Sequence, residues 1–267
     1  MKEGVKIKKV YFYNNKKQRL VGILGESNKK NIIIICHGFG GNKNRNYTLY
    51  DYFLKNNFSV LIFDFTGNGE SEGEFSDGNY TQEIDDLGKA IDFVKNLNYK
   101  KIVVMGHSMG GSISILRTAI DSRINFLVSI AGVGYPSKFR DKYINSEDKV
   151  KELNWNGYII LKHNEKKLTK EFLEDVEKYN VVNSVKKVKI PLLIIHAEKD
   201  ESISFKESKA IYENANEPKK MEIIPNADHC FGFKPMNCDN YNIKQDIAKT
   251  KEYNMMKEKI LEFLRKV

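Results

Sequence analysis

Gly106-His107-Ser108-Met109-Gly110 sets a serine between glycines, directly after the apolar run Lys101 to Met105 and just before a helical pattern from Ser112 to Ile120. That context fits a strained strand-to-helix turn that tolerates only small residues at the flanking positions 106 and 110, with the hydroxyl held at a strand's carboxyl end and a helix's amino end. A serine hydroxyl is a poor nucleophile at neutral pH. It needs a base in hydrogen-bond reach and a carboxylate that orients the base. Of the five histidines, His37 and His107 belong to tight turns where orienting loops is the commoner role, His196 ends a buried strand, and His163 lies in an insertion. His229, in the loop Pro225 to Phe231 after the last strand, is placed to swing over the sheet's carboxyl edge. The acid should leave a strand end between serine and histidine. Gly132 to Arg140 holds no carboxylate, whereas Ala197-Glu198-Lys199-Asp200 offers Asp200, with Glu198 and Glu201 as its nearest competitors.

Attack on a carbonyl builds an oxyanion, and each preorganised N–H donor aimed at it is worth about 3 kcal/mol. One such donor would be the N–H of Met109. The other would come from His37-Gly38-Phe39-Gly40-Gly41, most plausibly the N–H of Phe39. The glycine-rich segments match neither a Walker loop nor G-x-G-x-x-G, so a phosphate-gripping loop is a weak alternative.

These groups need a scaffold that brings strand ends to one rim. Gly4 to Glu26 reads as a hairpin turning at Asn14 to Lys17, and Asn31 to Cys36 as a strand covered on both faces. Helix and strand then alternate: Tyr47 to Asn56 helical, Phe58 to Phe63 extended, Thr81 to Asn96 helical, Lys101 to Met105 extended, Ser108 to Ile120 helical, Phe126 to Ala131 extended. After an interruption come the strand Pro191 to His196, the helix Ser204 to Asn214, the strand Lys220 to Ile224 and a closing helix Asp246 to Val267. The order predicts an α/β protein with a mostly parallel central sheet and helices on both faces. It reads as a single domain over residues 1–267. The interruption, residues 134–189 after the sixth strand, is an inserted lid or cap far longer than an ordinary connection. It should hold a hairpin-like stretch near Tyr158 to Leu161 and an amphipathic helix carrying Leu168, Phe172, Val176 and Tyr179.

Composition narrows the class. Of 267 residues, 41% are hydrophobic and 30% charged, as in a soluble globular chain. The net charge of +9 comes mostly from scattered lysines without a basic stripe or a nucleic-acid-binding motif, so nucleic acid is not an expected partner. The N-terminal residues show no signal-peptide pattern, and no apolar run approaches the ~18 residues of a membrane span. Cys36, Cys230 and Cys238 form no CxxC pair. A cytoplasmic protein with reduced thiols is the expectation.

The motifs His37-Gly38-Phe39-Gly40-Gly41, Asp64-Phe65-Thr66-Gly67-Asn68-Gly69-Glu70-Ser71, Gly106 to Gly111, His196 to Asp200 and Ala227-Asp228-His229 together resemble the α/β-hydrolase superfamily. The resemblance covers nearly the whole chain outside residues 134–189. Within the superfamily it is most similar to serine aminopeptidase-like hydrolases and cinnamoyl or feruloyl esterases. It implies Ser108 as nucleophile, His229 as base, Asp200 as orienter and the N–H groups of Phe39 and Met109 as oxyanion hole, with no metal or cofactor. Asp64, Gly67, Gly69 and Ser71 read as a structural loop bordering that site. The expected reaction is hydrolysis of a small-molecule ester through an acyl-enzyme, with Trp155, Tyr158 and Phe172 lining an apolar wall. The alternatives are an aminopeptidase or amidase using Glu147, Asp148, Glu152, Glu171 or Glu174 against a substrate ammonium, and a small-molecule receptor on the same scaffold. Ala197 stands where the superfamily motif usually has glycine.

Overall fold

The computed structural model describes residues 5–27, 30–161, 165–232 and 250–265. His163, Cys238 and residues 246–249 and 266–267, part of the stretch expected as a closing helix, lie outside the described residues.

An antiparallel hairpin opens the chain, β1 (Lys6–Tyr13) with β2 (Arg19–Glu26). The Asn14 carboxamide closes its turn by accepting the N–H groups of Lys16 and Gln18, each at 2.9 Å. There follow β3 (Asn31–Cys36), α1 (Tyr47–Lys55), β4 (Ser59–Phe63), α2 (Tyr80–Lys95), β5 (Lys101–His107), α3 (Met109–Thr118) and β6 (Phe126–Ile130). The insertion supplies α4 (Lys138–Tyr143), α5 (Glu147–Asn156), β7 (Tyr158–Ile160), β8 (Lys167–Thr169), α6 (Lys170–Val176) and α7 (Val181–Ser184). The chain returns to the sheet with β9 (Leu192–Ala197), α8 (Phe205–Asn214), β10 (Lys219–Ile224) and α9 (Lys251–Leu264).

The main sheet has eight strands in the order β1-β2-β4-β3-β5-β6-β9-β10. From β4 onward every neighbour is parallel, and β2 meets β4 antiparallel. The residues of β3 explain why this sheet needs cover on both sides. Ile32, Ile34 and Cys36 join one buried cluster with α2, α3 and the insertion, while Ile33 and Ile35 join another with α1 and α9. A strand apolar at every position is stable only between two helical layers. The chain runs from β3 outward to β4 and then back to β5 on the other side of β3, so β3 and β5 form the point where strand order reverses. Loops leaving adjacent carboxyl ends there diverge and leave a crevice, the usual ligand site of an open parallel sheet.

The insertion departs from its expected form in two places. Leu168 belongs to β8, which pairs antiparallel with β7, and the helix runs only from Lys170 to Val176, so Tyr179 lies past its end. Thr169 makes the switch, its side chain accepting the N–H of Phe172 as the N-cap of α6. Trp155 does not line an apolar wall. It is 90% exposed near the end of α5, which Gly157 closes in the left-handed conformation.

Candidate active site

Ser108 sits at the end of β5 with φ 57° and ψ −122°, a strained backbone for a non-glycine residue. The flanking glycines are what permit it. A Cβ on Gly106 would lie 2.2 Å from the Gly110 carbonyl oxygen, and one on Gly110 would lie 2.5 Å from that of His37. Any side chain at either position would push β5, α3 and the end of β3 apart. Ser108 N–H is held by the Ile130 carbonyl at 2.8 Å, which ties the turn to β6.

Asp200 and His229 meet: His229 Nδ1 donates to Asp200 Oδ2 at 2.7 Å. The Asp200 side chain is fully covered, and its other oxygen accepts the N–H groups of Ser202 at 2.9 Å and Ile203 at 2.8 Å. Burial alone would raise this acid. The His229 ring and those two N–H donors outweigh it and hold the carboxyl below its ordinary value, so it stays ionised. With Nδ1 carrying the proton shared with Asp200, Nε2 of a neutral His229 ring is the basic nitrogen. Glu198 is occupied elsewhere, accepting the N–H of Asn226 at 2.8 Å. Ala197 closes β9 in extended backbone, so the missing glycine costs no strain.

Two further histidines brace this centre through hydrogen bonds to its backbone. His107 Nε2 donates to the His229 carbonyl at 2.8 Å, and burial pushes the His107 ring down to about 3, leaving it neutral. His37 is likewise driven down by burial, to about 4. Its Nδ1–H donates to the Gly38 carbonyl at 2.9 Å while its Nε2 accepts the Phe65 N–H at 3.2 Å. The Gly41 N–H reaches the same Gly38 carbonyl at 3.0 Å. In a trans peptide the C=O and the following N–H point in opposite directions, so two donors on the Gly38 oxygen also fix the direction of the Phe39 N–H. Met109 is the first residue of α3, and first-turn N–H groups have no intrahelical acceptor. A Cβ on Gly38 would lie 3.3 Å from Ser108 Cβ, which measures how closely the β3 loop abuts the serine.

The loop after β4 supports this rim from below. Asp64, wholly buried, accepts the N–H and the ammonium of the buried Lys43, both at 2.6 Å, and the N–H of Glu70 at 2.9 Å. Ser71 Oγ donates to the Asp64 carbonyl at 2.7 Å and accepts the Val21 N–H at 2.9 Å. A Cβ on Gly69 would fall 2.4 Å from the Asp64 carboxylate. These residues hold a loop in place, as the sequence reading has them.

Ser108, Asp200 and His229 line one cavity of about 700 Å³, together with Gly38, Phe39 and His107. Residues 134–189 contribute Lys138, Phe139, Lys142 and Tyr143 of α4 to its lining, which sequence reasoning missed. The i, i+4 spacing of Phe139 and Tyr143 was the available signal. Phe172 and Tyr158, expected on the apolar wall, do not line the cavity: Phe172 is buried behind Phe39 and Phe139, and the ring of Tyr158 is covered by Lys167. Among the described residues no helix is long and apolar enough to cross a membrane.

Residues 84–246 match the family model described as BAAT / Acyl-CoA thioester hydrolase C terminal, and residues 27–139 match that of Serine aminopeptidase, S33. The chain is 28% identical over 213 residues to the uncharacterized protein YfhR of Escherichia coli O157:H7, covering 78% of this chain and 66% of that one. It is 27% identical over 140 residues to a putative esterase/lipase 2 of Mycoplasma genitalium, covering 52% of each. The ferulic acid-bound structure of Est1E from Butyrivibrio proteoclasticus superposes with a TM-score of 0.77 at 20% identity, covering 96% of this chain and all of that one. The chain thus spans about 66% of the length of YfhR, and the structural likeness at this identity shows the fold.

Proposed function

Because this chain belongs to the α/β-hydrolase superfamily, within the family described as BAAT / Acyl-CoA thioester hydrolase C terminal, we propose that it hydrolyses carboxylic esters of small or medium acyl chain through Ser108. The observation that carries the reading is the ordered pair beside the serine: a buried, ionised Asp200 donated to by His229 Nδ1, lining the same cavity as Ser108.

In this mechanism His229 Nε2 takes the Ser108 proton as Oγ adds to the ester carbonyl. The Asp200 carboxylate stabilises the imidazolium formed. The developing oxyanion is received by the N–H groups of Phe39 and Met109, which act as preorganised dipoles. Collapse expels the alcohol with the His229 proton and leaves acyl-Ser108. Water, deprotonated by His229, then repeats the addition and releases the acid. The neutral His37 keeps the Phe39 N–H aimed without introducing a second charge. The family's name adds thioesters to the substrates worth trying, since the same two steps cleave them. Residues 134–189 act as a cap subdomain of the one domain.

The cap side of the cavity argues against an aminopeptidase. None of Glu147, Asp148, Glu152, Glu171 and Glu174 is among the lining residues, and the carboxylate of Glu207, which is, is already paired with Lys138 at 3.0 Å.

An alkyl fluorophosphonate with a reporter tag tests the reading directly. One equivalent should add to the wild-type chain, with the adduct on Ser108 by peptide mass mapping, and Ser108→Ala should take up none and lose turnover of p-nitrophenyl acetate by at least about a thousandfold. Labelling at another residue, or a Ser108→Ala variant with a tenth of the wild-type rate, overturns it.

A further inference from the structure

We propose that Phe139 of the insertion is a positioning residue for the oxyanion hole, acting through the ring of Phe39; the inference rests on the hydrolase reading above. The Phe39 peptide is held from two directions. Its polar side is fixed by the donors on the Gly38 carbonyl, His37 Nδ1 and Gly41 N. Its ring is enclosed by aromatic partners: Phe139 at 5.3 Å between centroids, Phe172 at 5.3 Å, Phe75 at 5.5 Å and Tyr143 at 6.2 Å. Phe139, Tyr143 and Phe172 belong to the insertion. Three of the four rings around Phe39 therefore come from a segment a hundred or more residues away in the chain.

Among these partners Phe139 and Tyr143 line the cavity, so a bound acyl group can touch the same rings that hold Phe39. Phe139 is the better connected, meeting Phe172 at 5.5 Å and Tyr80 at 6.4 Å in edge-on contacts. Its helix is itself anchored. Glu207, buried on α8, accepts the N–H of Gly134 at 2.9 Å and pairs with Lys138 at 3.0 Å, fixing both sides of the entry into α4. Farther on, Asp175 accepts the N–H and hydroxyl of Thr81 at 2.9 and 2.6 Å, tying α6 to the start of α2. An insertion bolted at these points is a fixed wall that can transmit position. Loss of a ring partner lets the Phe39 side chain shift into the space left, and its Cα, displaced with it, carries the attached N–H away from the place where the oxyanion forms.

Deacylation distinguishes positioning from mere pocket lining, because the acetyl-enzyme has lost its alcohol and keeps only two acyl carbons while still needing the oxyanion hole. Acetyl-Ser108 is formed from p-nitrophenyl acetate and its decay followed by quenched intact-mass measurement, for wild type, Phe139→Ala and Phe139→Leu, with thermal melting to verify folding. Decay should slow about tenfold in Phe139→Ala and about threefold in Phe139→Leu, with KM for hexanoate esters rising as a separate effect. Unchanged acetyl-enzyme decay in either folded variant, with only the hexanoate KM altered, makes Phe139 a wall and overturns the proposal. Failure of wild type to acetylate at Ser108 overturns the hydrolase reading instead.

Discussion

The rim of the sheet and the insertion above it hold their shapes by different means. At the rim, backbone-directed hydrogen bonds and glycine clearances leave almost no freedom: Ser108 N–H on Ile130, Asp200 on two N–H groups, Gly106 and Gly110 with no room for a methyl. In the insertion, short helices are held by aromatic rings and a few anchoring carboxylates, while much of the outer surface is charged and solvated. Hydrogen bonds fix direction, and packed rings fix position. Perturbing the rim should therefore change the chemical step by orders of magnitude, and perturbing the insertion's outer face should change little.

The sharpest break in that comparison comes from Asp200→Asn. Loss of the acceptor on His229 Nδ1 leaves the ring free to present the wrong tautomer, and kcat on acetate esters should fall by about ten thousandfold. Glu198→Gln, which keeps an oxygen for the Asn226 N–H, should stay within about threefold of wild type by the same logic. Steady-state kinetics on both variants decides: a crippled Glu198→Gln beside an active Asp200→Asn would mean the wrong carboxylate has been assigned.

A pH experiment probes the layer under the rim. Glu83 of α2 is buried, its Oε2 has no partner among the described residues, and burial, reinforced by Asp86, raises its carboxyl well above the ordinary 4.5. The folded chain thus keeps a proton that the unfolded chain releases above that value. Stability from this group is present at low pH and declines as pH rises toward the folded value, by at most about 1.4 kcal/mol per pH unit. Glutamine cannot ionise. The melting temperature of Glu83→Gln relative to wild type should therefore climb as pH rises above the ordinary 4.5, and a flat difference would show that the acid is not held neutral.

The same contrast explains what was legible in the sequence. Ile32 to Cys36 is apolar at every position, and only a two-sided buried strand suits that, so β3 and its neighbours were plain. Ser108, Asp200 and His229, which line one cavity, could be singled out as candidates because each sits at or just past a strand end, where types and order are constrained. The turn-making glycines carried as much information as the reactive groups. The insertion had no such markers. Leu168, Phe172 and Val176 recur at four-residue steps, but a strand ending at Thr169 and a helix starting after it produce the same spacing. In Lys138-Phe139-Arg140-Asp141-Lys142-Tyr143 the i, i+4 pair of rings lies among four charged residues, which masks it, and the fold turns both rings onto Phe39.

Trp155 supplies the smallest expected effect and the finest test of the comparison. A tryptophan in a chain with no other invites the expectation of a buried anchor or substrate wall, yet this one is 90% exposed, flanked by Asn154 and Asn156. Trp155→Ser removes surface that water already covers, so stability should move by no more than about 0.5 kcal/mol. Its kcat/KM on acetate and hexanoate esters should stay within about twofold of wild type, because α4 reaches the cavity and α5 does not. If hexanoate turnover instead fell tenfold while acetate held, Trp155 would have to fold over the bound acyl chain during the reaction. The insertion would then be a moving cover, and the anchors at Glu207 and Asp175 would have to open in each cycle.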